Sequence, residues 1–148
     1  MRIHVASDHA GFELKESIKK FLMDSDYEVQ DHGAFEFNAD DDYPDFVRKA
    51  AEAVLKDPES RGIILGGSGQ GEAIVANRVK GVRAAVYYGG SEDIIKLSRE
   101  RNDANVLSLG ARFISGQEAL DMIKLWLDTV FSGDERHKRR IRKIDGGE

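Results

Sequence analysis

A doubly wound, Rossmann-like α/β fold around a five-stranded parallel sheet is predicted by three features of the chain. Short apolar, β-prone runs alternate with segments of helical period. The runs read as continuously apolar, as strands covered by helices on both faces do. Glycine and polar residues collect at the carboxyl end of each run. Strands are expected at Ile3–Ser7, Glu28–Asp31, Gly62–Leu65, Val82–Tyr87 and Val106–Leu109, with helices at about 12–24, 44–56, 71–79, 91–101 and 116–131.

The first helix places Phe12, Leu14, Ile18, Phe21 and Leu22 on one face, with Lys and Glu opposite. Pro44 suits the first turn of the second helix, and Ser91 the cap of the fourth. The longest irregular piece is 33–43, made acidic by Asn38-Ala39-Asp40-Asp41-Asp42. A last, basic helix is expected over Glu135–Ile144. No repeat, low-complexity tract or linker interrupts the chain, and 148 residues suit a single domain with a full core.

Composition excludes several classes of function. The chain is 41% hydrophobic and 33% charged, as soluble globular proteins are. No run approaches the ~18 apolar residues of a membrane span. The N-terminus enters a strand at once, without a signal-peptide pattern, so a cytoplasmic address is expected. With no cysteine there is neither a disulfide nor a thiolate ligand nor a cysteine nucleophile. The net charge of −5 argues against nucleic acid. Histidines and carboxylates lack the spacing of a metal site such as H-E-x-x-H, so no metal is expected.

Ligands of such a sheet bind beyond the carboxyl ends of its strands. Those ends carry Ser7-Asp8-His9, Asp31-His32-Gly33, Gly66 to Glu72, Tyr87-Tyr88-Gly89-Gly90 and Gly110-Ala111-Arg112. The third is the most informative. Gly66-Gly67-Ser68-Gly69-Gln70-Gly71-Glu72 brings bare N–H groups to the start of a helix, where an anion can be held. A tight turn explains one or two glycines, but not four in six residues. The Lys-Ser/Thr ending of a P-loop is absent, the spacing is not that of a dinucleotide fingerprint, and Ser68 lacks the G-x-S-x-G elbow. A carboxylate beside N–H donors points to proton transfer on a small anionic substrate.

Other candidates carry a plain structural alternative. His9 either caps the next helix or contacts a ligand, with Asp8 orienting an imidazole or holding a hydroxyl. Tyr43 before Pro44 is a packed tyrosine or a substrate contact, and Asn102 is a contact or only a helix C-cap. Arg136, Lys138, Arg139, Arg140, Arg142 and Lys143 put six positive charges in eight residues. As a helix this tail docks through Ile141 and Ile144 or faces water, and arginines one turn apart suit a phosphate monoester.

Ser7-Asp8-His9-Ala10-Gly11, Asp42-Tyr43-Pro44-Asp45, the loop Gly66–Glu72, Arg101-Asn102-Asp103-Ala104-Asn105, Leu109-Gly110-Ala111-Arg112 and Arg136-His137-x-x-Arg140 together resemble the ribose-5-phosphate isomerase B family, which includes the galactose-6-phosphate isomerase subunits. The resemblance spans nearly the whole chain. Its loop is similar to the branch that uses a glutamate where other members carry a cysteine, at the position of Gly66. It implies a cofactor-free aldose–ketose isomerase of a phosphorylated sugar, ribose 5-phosphate foremost and a tetrose or hexose phosphate next. Glu72 is then the base for a cis-enediolate. Gly67, Ser68, Gly69, Gln70 and Gly71 surround the oxyanion. Asp8, Tyr43 and Asn102 meet hydroxyls, and His9, Arg112, Arg136 and Arg140 meet the phosphate. The resemblance also implies a homodimer, or a dimer of dimers, with sites shared between subunits and residues 132–148 reaching the partner.

One position departs from the family. Arg101 stands where a histidine assists ring opening, and a guanidinium stays protonated. Ring opening then falls to another group (His9 is nearest), proceeds uncatalysed, or is unnecessary for an acyclic substrate. A non-catalytic sugar-phosphate-binding relative is the alternative that Arg101 raises. For Glu72, a helix N-terminus lowers the pKa and burial raises it, so a base at neutral pH requires burial to prevail.

Overall fold

In the computed structural model, which describes residues 1–147, five strands form one all-parallel sheet in the order β2-β1-β3-β5-β4. The strands are β1 (Arg2–Ser7), β2 (Glu28–Asp31), β3 (Arg61–Gly66), β4 (Ala84–Tyr87) and β5 (Val106–Gly110). The helices are α1 (Phe12–Asp24), α2 (Pro44–Lys56), α3 (Gln70–Asn77), α4 (Asp93–Glu100), α5 (Gly116–Asp128) and α6 (Glu135–Ile144). A single 3-10 turn, His9–Gly11, leads from β1 into α1.

Side chains alternate between two buried faces, as a strand of period two requires. Ile3, Val5, Ile63, Leu65, Leu107 and Leu109 meet Ile18 and Leu22 of α1, Ile95 of α4, and Ile123 and Trp126 of α5. Ala6, Ile64 and Val106 meet Val47, Ala50, Ala51 and Val54 of α2 and Val75 and Ala76 of α3. Connections therefore leave β1 and β3, which are neighbours, towards opposite faces. That is the switch point of a doubly wound sheet, and it opens a crevice beyond Ser7 and Gly66.

The structure corrects several expected boundaries. β4 begins at Ala84, because the Arg83 N–H turns to the Asn105 side chain at 2.7 Å and Val82 closes a turn on Val79. β2 is an exposed edge strand of mixed polarity, not a continuous apolar run. α3 stops at Asn77 and α4 covers only 93–100, although the Ser91 hydroxyl does accept the Asp93 N–H. α5 ends at Asp128, where Thr129 turns extended and bonds back to the Leu125 carbonyl. α6 docks through buried His137, whose Nδ1 meets the Ser132 hydroxyl at 2.8 Å, while Ile144 is largely exposed.

A buried cation ties α1 to the loop that follows β2. Lys15 is fully buried, and its ammonium donates to both Asp31 oxygens (2.8 and 2.9 Å) and to the Ala34 carbonyl (2.6 Å). Burial alone would raise the Asp31 pKa, but Lys15, Lys19 and the Gly33 N–H outweigh it and hold the carboxyl below its ordinary range. Asp31 is thus charged throughout the neutral range and loses this support only under acid, below its unfolded value. Lys15→Met should cost about 3 kcal/mol of stability, because Asp31 and the Ala34 carbonyl lose a buried partner. Urea unfolding at pH 7 measures this; an unchanged midpoint and slope would show that the ammonium does not hold the loop.

Candidate active site

The crevice is built around the junction of β3 and α3. Gly69 has φ +78°, the left-handed region that glycine enters without steric cost, and it turns the chain into α3. Its carbonyl accepts from the buried Ser108 hydroxyl at 2.7 Å. The Gly66 and Gly67 carbonyls accept from the Ala111 and Arg112 N–H groups at 2.8 and 3.1 Å. The loop is therefore clamped along the end of β5. None of the described residues accepts from the N–H groups of Ser68, Gly69 or Gly71, so these donors are free for a ligand.

Glu72 is the third residue of α3 and only 4% exposed. Its carboxylate lies against the Gly66 Cα, so closely that a Cβ built at Gly66 would overlap it. Burial raises its pKa above the ordinary carboxylate range, nearby Asp8 adds to the rise, and the backbone N–H only partly opposes it. Burial thus prevails over the helix N-terminus. The group is more basic than an ordinary carboxylate, the direction that general-base chemistry requires.

Around Glu72 lie several other expected residues. Asp8 is buried and accepts the Ala10 N–H at 3.0 Å. His9 follows it, with Nδ1 2.7 Å from Asp41 Oδ1. Tyr43 places its phenol against α3, where a Cβ on Gly71 would come within 2.5 Å of its oxygen. The Arg112 guanidinium covers Gly67, with Nη1 3.0 Å from a Cβ built there. Ser68 and Gln70 complete the loop, the Ser68 hydroxyl accepting the Gln70 N–H at 3.3 Å. One crevice therefore gathers carboxylates, N–H donors, an imidazole, a phenol and a guanidinium.

The remaining expected residues lie at the other edge of the sheet. α4 starts beyond the carboxyl end of β4 and runs back, so Arg101 and Asn102 fall at the amino end. There the Asn102 carbonyl accepts from Arg83 at 3.0 Å. α6 is held at the same end, with Asp145 accepting the Gly81 N–H at 3.0 Å and the Glu100 carbonyl accepting from Ser132. Arg136 and Arg140 are exposed there. The chain thus carries two sets of expected residues on opposite edges, and it does not bring them together by itself.

Asp41 is the member that the sequence does not single out. Nothing in the run Asp40-Asp41-Asp42 marks the middle residue, because only the fold turns it towards His9. Asp8, His9 and Asp41 bring one oxygen or nitrogen each within 4.8 Å of one another, the closest approach to a cation site among the described residues. A cation on Nδ1 would have to displace the proton that Asp41 accepts. A cavity of about 730 Å³ lies elsewhere, across the amino end of the sheet and lined by Arg61, Arg83, Arg99 and Asp103.

Residues 3–144 match the family model described as Ribose/Galactose Isomerase. The chain is 45% identical over 141 residues to the ribose-5-phosphate isomerase B of Mycolicibacterium paratuberculosis, covering 95% of this chain and 87% of that protein. It superposes on Clostridium thermocellum ribose-5-phosphate isomerase B with a TM-score of 0.92 at 45% identity, covering 98% and 95% of the two chains. The Mycoplasma genitalium enzyme, solved with bound ribulose 5-phosphate, gives 0.91 at 41% identity and 97% and 93% coverage.

Gly66→Ala should push the Glu72 carboxylate out of its slot and into water. Carbon-13 NMR titration of the Glu72 carboxyl should then give a midpoint moved down towards the ordinary carboxylate range, with a stability loss of about 1–3 kcal/mol. A midpoint equal to that of the unsubstituted protein would show that position 66 does not shape the surroundings of Glu72.

Proposed function

Because the chain belongs to the ribose/galactose isomerase family, and is an aldose–ketose isomerase of the ribose-5-phosphate isomerase type, we propose that it interconverts ribose 5-phosphate and ribulose 5-phosphate with Glu72 as the base. The observation that carries this reading is the buried Glu72 carboxylate, with its raised pKa, beside the free N–H groups of the loop. Glu72 removes the proton from C2 of the open-chain aldose, and the electron pair moves onto the C1 carbonyl oxygen to give a cis-enediolate. The N–H groups of Ser68, Gly69 and Gly71 and the Ser68 hydroxyl face that oxyanion. Such prearranged donors are worth on the order of 3 kcal/mol each. A proton passes between the two oxygens, Glu72 returns its own proton to C1, and the ketose results. No redox cofactor is consumed, since C1 gains the hydrogen that C2 gives up.

The phosphate end calls for cations, and in this reading they come from two chains. His9 and Arg112 lie in the crevice, while Arg136 and Arg140 point to solvent from the opposite edge. A homodimer that sets one subunit's amino edge against the other's crevice completes the site with the partner's tail and with its Arg101 and Asn102. Exposed Ile74, Tyr88, Ile94, Leu97 and Phe113 supply apolar surface for that contact. Arg101, exposed after α4, favours as a second reading a sugar phosphate whose ring needs no histidine to open.

Glu72→Gln should lower kcat by on the order of a thousandfold while sugar-phosphate affinity is kept, measured by isomerisation assay and calorimetry. Full activity in that variant would sink the mechanism. Glu72→Gln mixed with the double variant Arg136→Ala, Arg140→Ala should regain activity after subunit exchange. In a random mixture of twofold dimers about a quarter of the sites are intact. No recovery would mean that each tail serves its own Glu72.

A further inference from the structure

The acidic loop at 38–42 has no part in the chemistry above, yet one of its three aspartates differs from the others. Asp40 and Asp42 are exposed, whereas the Asp41 side chain is only 7% exposed. Its Oδ1 accepts two bonds from His9, from the backbone N–H at 3.0 Å and from ring Nδ1 at 2.7 Å. A carboxylate can only accept, so Nδ1 carries the proton and Nε2 is the free ring nitrogen. Asp41 Oδ2 is buried with no partner, so the His9 ring is the nearest group able to balance this carboxylate. The Phe37 ring meets the imidazole edge-on, with ring centroids 6.2 Å apart.

We propose that Asp41 is a positioning residue, which grips His9 at two points and presents its Nε2 to the phosphate of the substrate. The inference rests on the assignment of His9 to the phosphate made above. Its electrostatic consequence follows from the groups that face the ring. The Asp41 bond raises the His9 pKa, burial lowers it, Asp8 at the end of β1 raises it, and Arg112 after β5 lowers it, with a net rise. The rise enlarges the share of His9 whose Nε2 is a charged donor, the form that binds a phosphate dianion best. A neutral imidazole would give a weaker, uncharged bond.

Asp41→Asn is the informative variant, since the amide oxygen can still accept both bonds but carries no charge. Nitrogen-15 NMR of the free wild-type protein should show the Nδ1–H tautomer and a His9 midpoint above the ordinary 6.5. Asp41→Asn should move that midpoint down. KM for ribose 5-phosphate should rise on the order of tenfold near pH 7, the ratio between a charged and a neutral hydrogen bond. The ratio of variant to wild-type KM should fall towards one as the pH is lowered and both rings take up a proton, while kcat stays close to wild type. Asp40→Asn, in the same loop but exposed, is the control and should match wild type throughout. An unchanged tautomer and midpoint in Asp41→Asn overturns the proposal, as does a KM ratio that is constant with pH, which a purely structural loss would give. Should the wild type fail to isomerise sugar phosphates, the functional reading falls, and the NMR comparison still decides whether Asp41 holds His9.

Discussion

The Glu72 carboxylate and a side chain at position 66 compete for one volume, and much of the site is arranged around that exclusion. With hydrogen at 66, the carboxylate folds back from the first turn of α3 onto the end of β3 and is buried there. Burial raises its pKa, and the same turn leaves N–H groups pointing outwards beside it. A buried carboxylate and a set of free N–H donors thus arise from one backbone path. A thiol at 66 and a carboxylate from 72 would occupy the same place, so a chain with the glutamate needs the glycine.

That path is held from β5 and from the loops on either side. Ser108 takes the Gly69 carbonyl, Ala111 and Arg112 take those of Gly66 and Gly67, and Tyr43 leans on Gly71. The loop from His32 to Tyr43 carries two of the polar side chains of the crevice, Asp41 and Tyr43. It is itself anchored by the buried Lys15 at its start and by the bonds between His9 and Asp41 near its end. Ionic groups here act as geometric pins. Their net contribution to stability is modest beside the apolar core, but breaking one leaves an unpaired charge in a dry place.

Direction within the sheet decides which of the expected residues one chain gathers. Parallel strands put every βα turn at the carboxyl edge and every αβ turn at the amino edge. Asp8, His9, the glycine loop and Arg112 precede helices and share the first edge. Arg101 and Asn102 follow a helix, and the basic α6 docks beside them at the second edge. The separation is a consequence of topology and not of side-chain choice.

The sequence by itself determined the order of elements, the two-faced core and the chemical character of the glycine loop, because period, apolarity and glycine spacing act over a few residues. Glu72 stood out for the same reason, as the carboxylate that closes a glycine run after a strand. Element ends were less legible, since the Thr129 carbonyl and the Arg83 N–H are taken by Arg99 and Asn105, partners distant in the chain. Tertiary structure alone decided that Asp41, and neither of its identical neighbours, meets His9, and that Arg136 and Arg140 lie on the edge away from Glu72. Both depend on where segments tens of residues apart are brought by packing. A run of like charges carries no local signal of which member will be turned inwards.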